Sequence, residues 1–178
     1  MLICVVGRRR SGKDTFSQYF VDALGYRAVA LAEIPKRETS KTYGLPTNML
    51  WWEDNKDRAY FADQTKTYRD LLIEYANAQR AVDPDVWVNR LLEEIKPRLA
   101  RGENVVVTDV RFPNEAELLH AAGGVLIKIE RPSVPVFCDL ADSGVNAIDS
   151  RLLYRTIVNN RGINDLWCDA RSVAEALG

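Results

Sequence analysis

Leu2-Ile3-Cys4-Val5-Val6-Gly7-Arg8-Arg9-Arg10-Ser11-Gly12-Lys13-Asp14-Thr15 is the stretch whose reading decides the rest of this chain. The apolar run Leu2 to Val6 reads as a buried strand. Phe16, Tyr19, Phe20, Ala23 and Leu24 then recur at helical spacing, and Gly25 is placed to end that helix. Between them stands Gly-x4-Gly-Lys. Strand, glycine loop and helix in this order are the context of a phosphate-binding loop. Gly7 and Gly12 permit the tight backbone path, the loop amides turn toward an anion, and the new helix adds its positive end. Lys13 is placed to reach the β- and γ-phosphates of a nucleotide. Asp14 occupies the position where Ser or Thr usually holds Mg²⁺, and Thr15 follows one residue late. Asp14 reads equally as a carboxylate favoured by the helix N-terminus and as a metal ligand.

Outward from the loop, strand-like and helical stretches alternate, which predicts an α/β fold around a parallel sheet. Tyr26 to Ala32 reads as a second strand. Residues 33–63 are polar, contain proline and lack a clean period. They read as an excursion from the sheet that buries surface through Leu50, Trp51, Trp52, Tyr60 and Phe61. Tyr68, Leu71, Leu72, Tyr75 and Ala76 mark a helix. Val88, Leu91, Leu92, Ile95 and Leu99 mark another, with Pro97 expected to bend it or end it early. Val105 to Asp109 is a β-branched run ending in an acid, the pattern of a buried parallel strand. Asn114 with Glu117 reads as a capping box for a helix through Ala122. Val125 to Ile129 is a fourth strand and Arg155 to Val158 a short fifth. The stretch from Pro132 to Leu153 reads as irregular. Asn164 is expected to cap a final helix.

The 178 residues suffice for one compact domain with a full core, and residues 1–178 are read as one domain. Apolar content of 47% and charged content of 28% are those of an ordinary soluble protein. A net charge of −1 argues against a surface built for nucleic acid. No apolar run reaches membrane-span length, so no membrane partner is expected. Cys4, Cys138 and Cys168 are scattered without metal-type spacing, which suits a reducing cytoplasm. His120 is the one histidine and sits at a position that reads as surface or packing. A single histidine leaves little room for Ser-His-Asp hydrolysis or for zinc sites built on several imidazoles.

The second chemical signal is Asp109. A carboxylate at the carboxyl end of a core strand commonly faces the Mg²⁺ and phosphates held by a neighbouring phosphate loop, and Arg111 faces the same crevice. The competing reading is an Asp that merely caps local amides.

Four blocks together are selective. Gly7-x-x-Arg10-Ser11-Gly12-Lys13-Asp14-Thr15 resembles the loop of phage-type deoxynucleoside monophosphate kinases. Val107-Thr108-Asp109-Val110-Arg111-Phe112-Pro113-Asn114-Glu115-Ala116-Glu117 resembles that family's second block. Asp83-Pro84-Asp85-Val86-Trp87-Val88 and Thr156-Ile157-Val158-Asn159-Asn160 match further blocks, in family order and over nearly the whole chain. The resemblance implies a three-layer P-loop kinase fold with a five-stranded parallel sheet flanked by helices. It implies ATP and Mg²⁺ as cofactors, a deoxynucleoside monophosphate as acceptor, and dNTP supply as the purpose. The location implied is cytoplasmic, in the host cytoplasm for a phage-encoded chain. The segment after the second strand diverges from the family, and two shorter places depart from it as well. Thr67-Tyr68-Arg69 keeps only the ends of a Thr-Pro-Arg pattern, and Asn146-Ala147-Ile148-Asp149-Ser150-Arg151 stands where relatives carry a His-x-Ser-Glu-like segment.

The site expected from these residues is as follows. Lys13, Asp109 and Arg111 are catalytic. Gly7, Arg10, Ser11, Gly12, Lys13, Asp14, Thr15, Arg131 and Arg151 hold ATP and its phosphates, residues 132–154 forming a lid. Arg69, Trp52 and Arg10 hold the acceptor, with residues 33–63 and the neighbouring helix as its platform. Asp14, Thr15 and Asp109 are the metal ligands, with the choice between Asp14 and Thr15 open. Arg8 and Arg9 read as exposed. Each of Trp51, Trp52, Tyr60 and Phe61 reads either as core or as a wall of the nucleoside pocket. Phosphoryl transfer to a phosphate oxygen needs no strong general base, because that oxygen is already ionised at neutral pH. Positioning and positive charge carry it, which fits a chain with one histidine and many arginines. A homodimer is left open. The competing functions are a kinase for another phosphorylated small molecule, phosphomevalonate-like or dephospho-CoA-like, and a nucleotide-binding switch without transfer.

Overall fold

The computed structural model describes residues 1–46, 48–135 and 140–178. Cys138 and part of the 132–154 segment thus lie outside the described residues. The chain divides into two compact units. One comprises Met1–Ala30 and Leu92–Gly178, the other Leu31–Leu91.

The first unit is a five-stranded sheet. Its strands are β1 (Leu2–Gly7), β2 (Arg27–Val29), β5 (Val105–Val110), β6 (Val125–Glu130) and β7 (Leu153–Val158), in the spatial order β2-β5-β1-β6-β7. Every pairing among them is parallel. β1 is central, and all six of its residues are buried. Alternation along the strands sends Ile3, Val5, Val106, Ile127 and Ile129 to one face. There they pack with Phe16, Phe20, Leu166, Ala170 and Val173 from α1 (Lys13–Leu24) and α9 (Ile163–Leu177). On the other face lie α7 (Pro113–Ala121) and α8 (Leu140–Ala147), against β1. Gly124 is required here because a Cβ would stand 2.7 Å from the Leu119 carbonyl oxygen and 2.9 Å from Cys4 Sγ. Cys4 is fully buried, and that burial pushes its thiol pKa up. These three layers are the α/β architecture that the sequence implies.

The second unit holds α2 (Glu33–Tyr43), the short α3 (Asn48–Trp51) and α4 (Glu53–Lys56), and an antiparallel hairpin of β3 (Ala59–Tyr60) and β4 (Asp63–Thr67). α5 (Tyr68–Val82) and the start of α6 (Val86–Ala100) complete it. Its core is Leu45, Leu50, Tyr68 and Leu71. Trp87 Nε1 donates to the Ala76 carbonyl at 3.3 Å, Tyr75 donates to Glu38 at 3.3 Å, and Arg90 pairs with Glu38.

Several local expectations are corrected. The second strand is Arg27–Val29, not Tyr26 to Ala32. Residues 33–43 form a regular helix despite the missing apolar period, because the side it buries is Ile34, Pro35, Thr39 and Ser40, half of it hydroxyls. Pro35 is tolerated in the first turn, where no intrahelical partner awaits its missing N–H. Pro97 does not end α6, which runs on to Ala100. Part of the stretch read as irregular is helical, in α8 and a 3₁₀ turn at Ser150–Leu152. The two expected caps are displaced. Asn114 lies inside α7, where Glu115 accepts the N–H groups of Arg111 (3.0 Å) and Phe112 (3.1 Å). Asn164 likewise lies inside α9, where Asp165 accepts from Gly162 at 3.1 Å. An acid in the first turn reaching back, rather than a capping Asn, starts both helices.

Candidate phosphate-binding site

β1 delivers the chain to Gly7, beside Ile129 of β6, and α1 takes it up again at Lys13. The five residues between form a cup. Arg10 (φ 61°) is the one non-glycine residue with positive φ among the described residues, and Gly12 (φ 97°) is also left-handed. A non-glycine residue in this region costs about 1 kcal/mol or more, strain of the kind concentrated at binding loops. Left-handed residues within a turn gather successive amides on one concave side, an anion-binding arrangement. Ser11 N donates to Arg8 O at 3.2 Å and closes the turn. Gly7 has no room for a side chain, because its Cβ would stand 2.6 Å from Ser11 Oγ and 3.1 Å from Ile129 O.

Lys13 is 6% exposed. Its Nζ lies 3.1 Å from Asp14 Oδ1, on a carboxylate that is itself 80% exposed. A buried ammonium at the positive end of a helix is unfavourable unless negative charge answers it. Ser11 adds a buried hydroxyl with no hydrogen-bond partner. A nest of amides, a helix N-terminus, a buried cation and an unsatisfied hydroxyl all ask for the same thing, a polyanion bearing several oxygens. ATP phosphates fit that demand.

The loop is held from both sides. Asp142 of α8 is fully buried. It accepts the Arg9 backbone N–H at 3.1 Å and stands 4.0 Å from Arg111 Nη1. Asn159, one residue past β7, donates its Nδ2–H to the Ser11 carbonyl at 2.8 Å and its backbone N–H to Glu130 O at 2.7 Å. Neither residue was assigned a role from sequence. Asn159 stood in one of the four blocks, whereas Asp142 carried no local signal.

The other expected site residues fall into three groups. Asp109 and Arg111 reach the carboxyl end of β5, where Val110 pairs with Val6, next to Gly7; Asp109 is half-buried. Arg131 follows β6 at this same end of the sheet and is exposed. Asp14 and half-buried Thr15 open α1, and Thr15 O accepts from Trp167 Nε1 at 3.2 Å. Arg8 and Arg9, expected exposed, are half-buried. Arg151 is not brought to the loop. It precedes β7, whose first residue Leu153 pairs with Leu126 at the amino end of the sheet, and its guanidinium is bound to Asp149 at 2.6 Å. Of the expected lid, α8 buries Asp142 and Val145, and Ile148 just past it is buried too, so this portion underlies the loop as core. Arg69 and Trp52 belong to the second unit. Arg69 Nε donates to Asp57 at 2.6 Å at the head of α5, and Trp52 is 66% exposed. Phe61 is exposed too, while Tyr60 packs edge-on against Tyr68. His120 is exposed.

The fold is that of the P-loop kinases. The chain is similar over 98–99% of its length to a dephospho-CoA kinase from Campylobacter jejuni (TM-score 0.59, 15% identity, 96% of that chain) and to a sugar kinase from Janibacter sp. HTCC2649 (TM-score 0.58, 13% identity, 94% of that chain). In sequence it is 26% identical, over 94% of its length and 92% of the relative, to a protein of Acanthamoeba polyphaga mimivirus provisionally named a deoxynucleotide monophosphate kinase. It is also 30% identical, over 74% of its length, to the uncharacterized protein ORF77 of Ictalurid herpesvirus 1, of which it spans about half (51%). No family model matches the chain. The relative whose name states an activity is provisionally named a kinase and these structural neighbours are kinases, so in sequence and in fold the chain stands among phosphotransferases. Among the described residues no helix is long and apolar enough to cross a membrane.

Proposed function

We propose that the chain transfers the γ-phosphoryl group of ATP to a deoxynucleoside 5′-monophosphate, releasing ADP and the diphosphate. The observation that carries this reading is the loop itself, with its left-handed turns and the buried Lys13 at the head of α1. The mimivirus relative's name supports the acceptor, and the viral relatives support a role in supplying dNTPs in the cytoplasm of an infected host.

The donor's phosphates lie in the amide cup of residues 7–13, and Lys13 neutralises charge on the transferring group. Asp14, Thr15 and Asp109 carry the hard oxygen donors that would hold Mg²⁺, which would supply neutralisation of phosphate charge. An ionised oxygen of the acceptor phosphate forms the new P–O bond as the bond to ADP breaks, so no protein base removes a proton. Arg111 stabilises the equatorial oxygens. Arg69 is assigned to the acceptor phosphate, for which a guanidinium fork is suited. Trp52 offers an exposed ring to the base.

The likeness to a dephospho-CoA kinase favours a second reading, a P-loop kinase with another phosphorylated acceptor. One experiment separates the two. The protein is incubated with MgATP and dAMP, dGMP, dCMP, dTMP, modified pyrimidine monophosphates, the ribonucleotides, dephospho-CoA and phosphomevalonate, and ADP release is followed. Release stimulated by at least one deoxynucleoside monophosphate above the rest is expected. Stimulation by a non-nucleotide acceptor alone moves the chain to the second reading. Tight ATP binding with no acceptor-dependent release makes it a non-catalytic binder.

A further inference from the structure

We infer that Asn159 is a positioning residue that locks one peptide group of the phosphate loop in its anion-binding orientation. The proposal rests on the reading of residues 7–13 as the nucleotide's phosphate site.

The Ser11–Gly12 peptide has two faces. A trans peptide is planar, and its C=O and N–H point in opposite directions. Among the described residues no peptide is cis. The Ser11 carbonyl accepts Asn159 Nδ2–H at 2.8 Å. Its oxygen is thereby turned to the side of the loop where β7 ends, and the Gly12 N–H is turned the opposite way. Released, this peptide could rotate as a unit, since the left-handed Gly12 (φ 97°) has no Cβ to oppose the change. Rotation would put a carbonyl oxygen where a phosphate oxygen is to sit and remove an amide donor. A single hydrogen bond therefore decides whether the cup presents N–H or C=O.

Gly12 serves this lock in a second way. A Cβ on it would stand 2.3 Å from Asn159 Nδ2 and 3.2 Å from Leu166 Cδ2. The space that a side chain would take is given to the amide. The lock is itself anchored, because Asn159 N–H donates to Glu130 O at 2.7 Å where β6 ends, and the residue is buried. On the other side Asp142 holds Arg9 N–H at 3.1 Å. Thus the amide of Arg9 faces away toward α8, and the amides left to serve a ligand lie later in the loop.

The test is calorimetric binding of MgADP and of the accepted monophosphate to wild type, Asn159→Ala, Asn159→Asp and Leu166→Ala, with thermal unfolding of each. Asn159→Ala is expected to lose about tenfold in ADP affinity, the order of one lost tether and about 1.4 kcal/mol. Asn159→Asp should lose at least as much, and both should keep acceptor affinity. Leu166→Ala loosens the same packing without touching the Ser11 carbonyl, so it should lower Tm yet bind ADP within about twofold of wild type. Unchanged ADP affinity in Asn159→Ala overturns the lock. So does a loss confined to Asn159→Asp, which would be a charge effect, or an equal loss in Leu166→Ala, which would be packing. Unfolding of both Asn159 variants would assign the residue to the core and overturn it as well. Failure of wild type to bind ADP sinks instead the donor-site reading on which the lock depends.

Discussion

Lys13 and Arg69 are both cations read as phosphate ligands, and the molecule holds them in contrasting ways. Lys13 is buried at the head of α1, in a loop tethered by Asn159 and Asp142, beside a hydroxyl that has no partner. Arg69 sits at the head of α5 with its guanidinium already on the exposed carboxylate of Asp57, at 2.6 Å. The first site has committed its strain and desolvation before any ligand arrives, so binding is repaid at once. The second keeps its cation satisfied by an exposed pair of the sort worth under about 1 kcal/mol, which a phosphate can displace. A rigid cup suits one shared donor. An arginine on an exposed carboxylate, in a unit that also exposes Trp52 and Phe61, suits acceptors that differ in their bases.

The largest effect that would break this contrast is at Lys13. Lys13→Ala is expected to lower kcat at least about a hundredfold, the scale of one lost transition-state charge contact, with the fold retained in circular dichroism. An unchanged rate would remove Lys13 from the chemistry. Next come the two partners at α5. Arg69→Ala should raise the acceptor KM about tenfold and leave the ATP KM alone, whereas Asp57→Ala, which removes the competing carboxylate, should lower the acceptor KM about two- to threefold. Equal changes in both KM values, or an acceptor KM that rises in Asp57→Ala, would refute the exchange of Asp57 for phosphate.

The smallest effect concerns the frame under Arg69. Thr67 and Asp70 close a capping box at the start of α5, with Thr67 N to Asp70 Oδ2 at 2.8 Å and Asp70 N to Thr67 Oγ1 at 3.1 Å. The Thr67 backbone N–H, and then its hydroxyl, hold the Asp70 carboxyl below the ordinary aspartate value. A carboxylate lowered in the folded state adds stability above its unfolded pKa and loses it as pH falls through the folded one. Asp70→Asn should therefore lower Tm at neutral pH, and the gap from wild type should close in acid below the usual aspartate range. A gap independent of pH would show that the ionised carboxylate is not what caps the helix.

The chemistry-bearing residues near the loop were legible because their signals are local. Gly7, Gly12 and Lys13 lie within seven positions, flanked by a strand with all six residues buried and a helix with a clear apolar face. Val105 to Asp109 showed a buried strand through its β-branched run, and the strand lies beside β1 as expected. α2 was illegible because its buried side is half hydroxyl, so no apolar period marks it. The place of Arg151 is illegible for another reason. Sequence places it near the last strand but does not say at which end, and the parallel pairing of β7 puts it at the amino end, away from the cup.

The alternation of strands and helices, the parallel sheet they imply and the loop that turns amides toward an anion are all written in the residue order, since these rest on periodicity and on residues close together in the chain. What steadies that loop emerges from long-range packing. Asp142 lies 133 residues from Arg9, and Asn159 lies 148 from Ser11. No local pattern encodes such pairs, because the hydrogen bonds exist only once α8 and the end of β7 have been packed against β1 and β6.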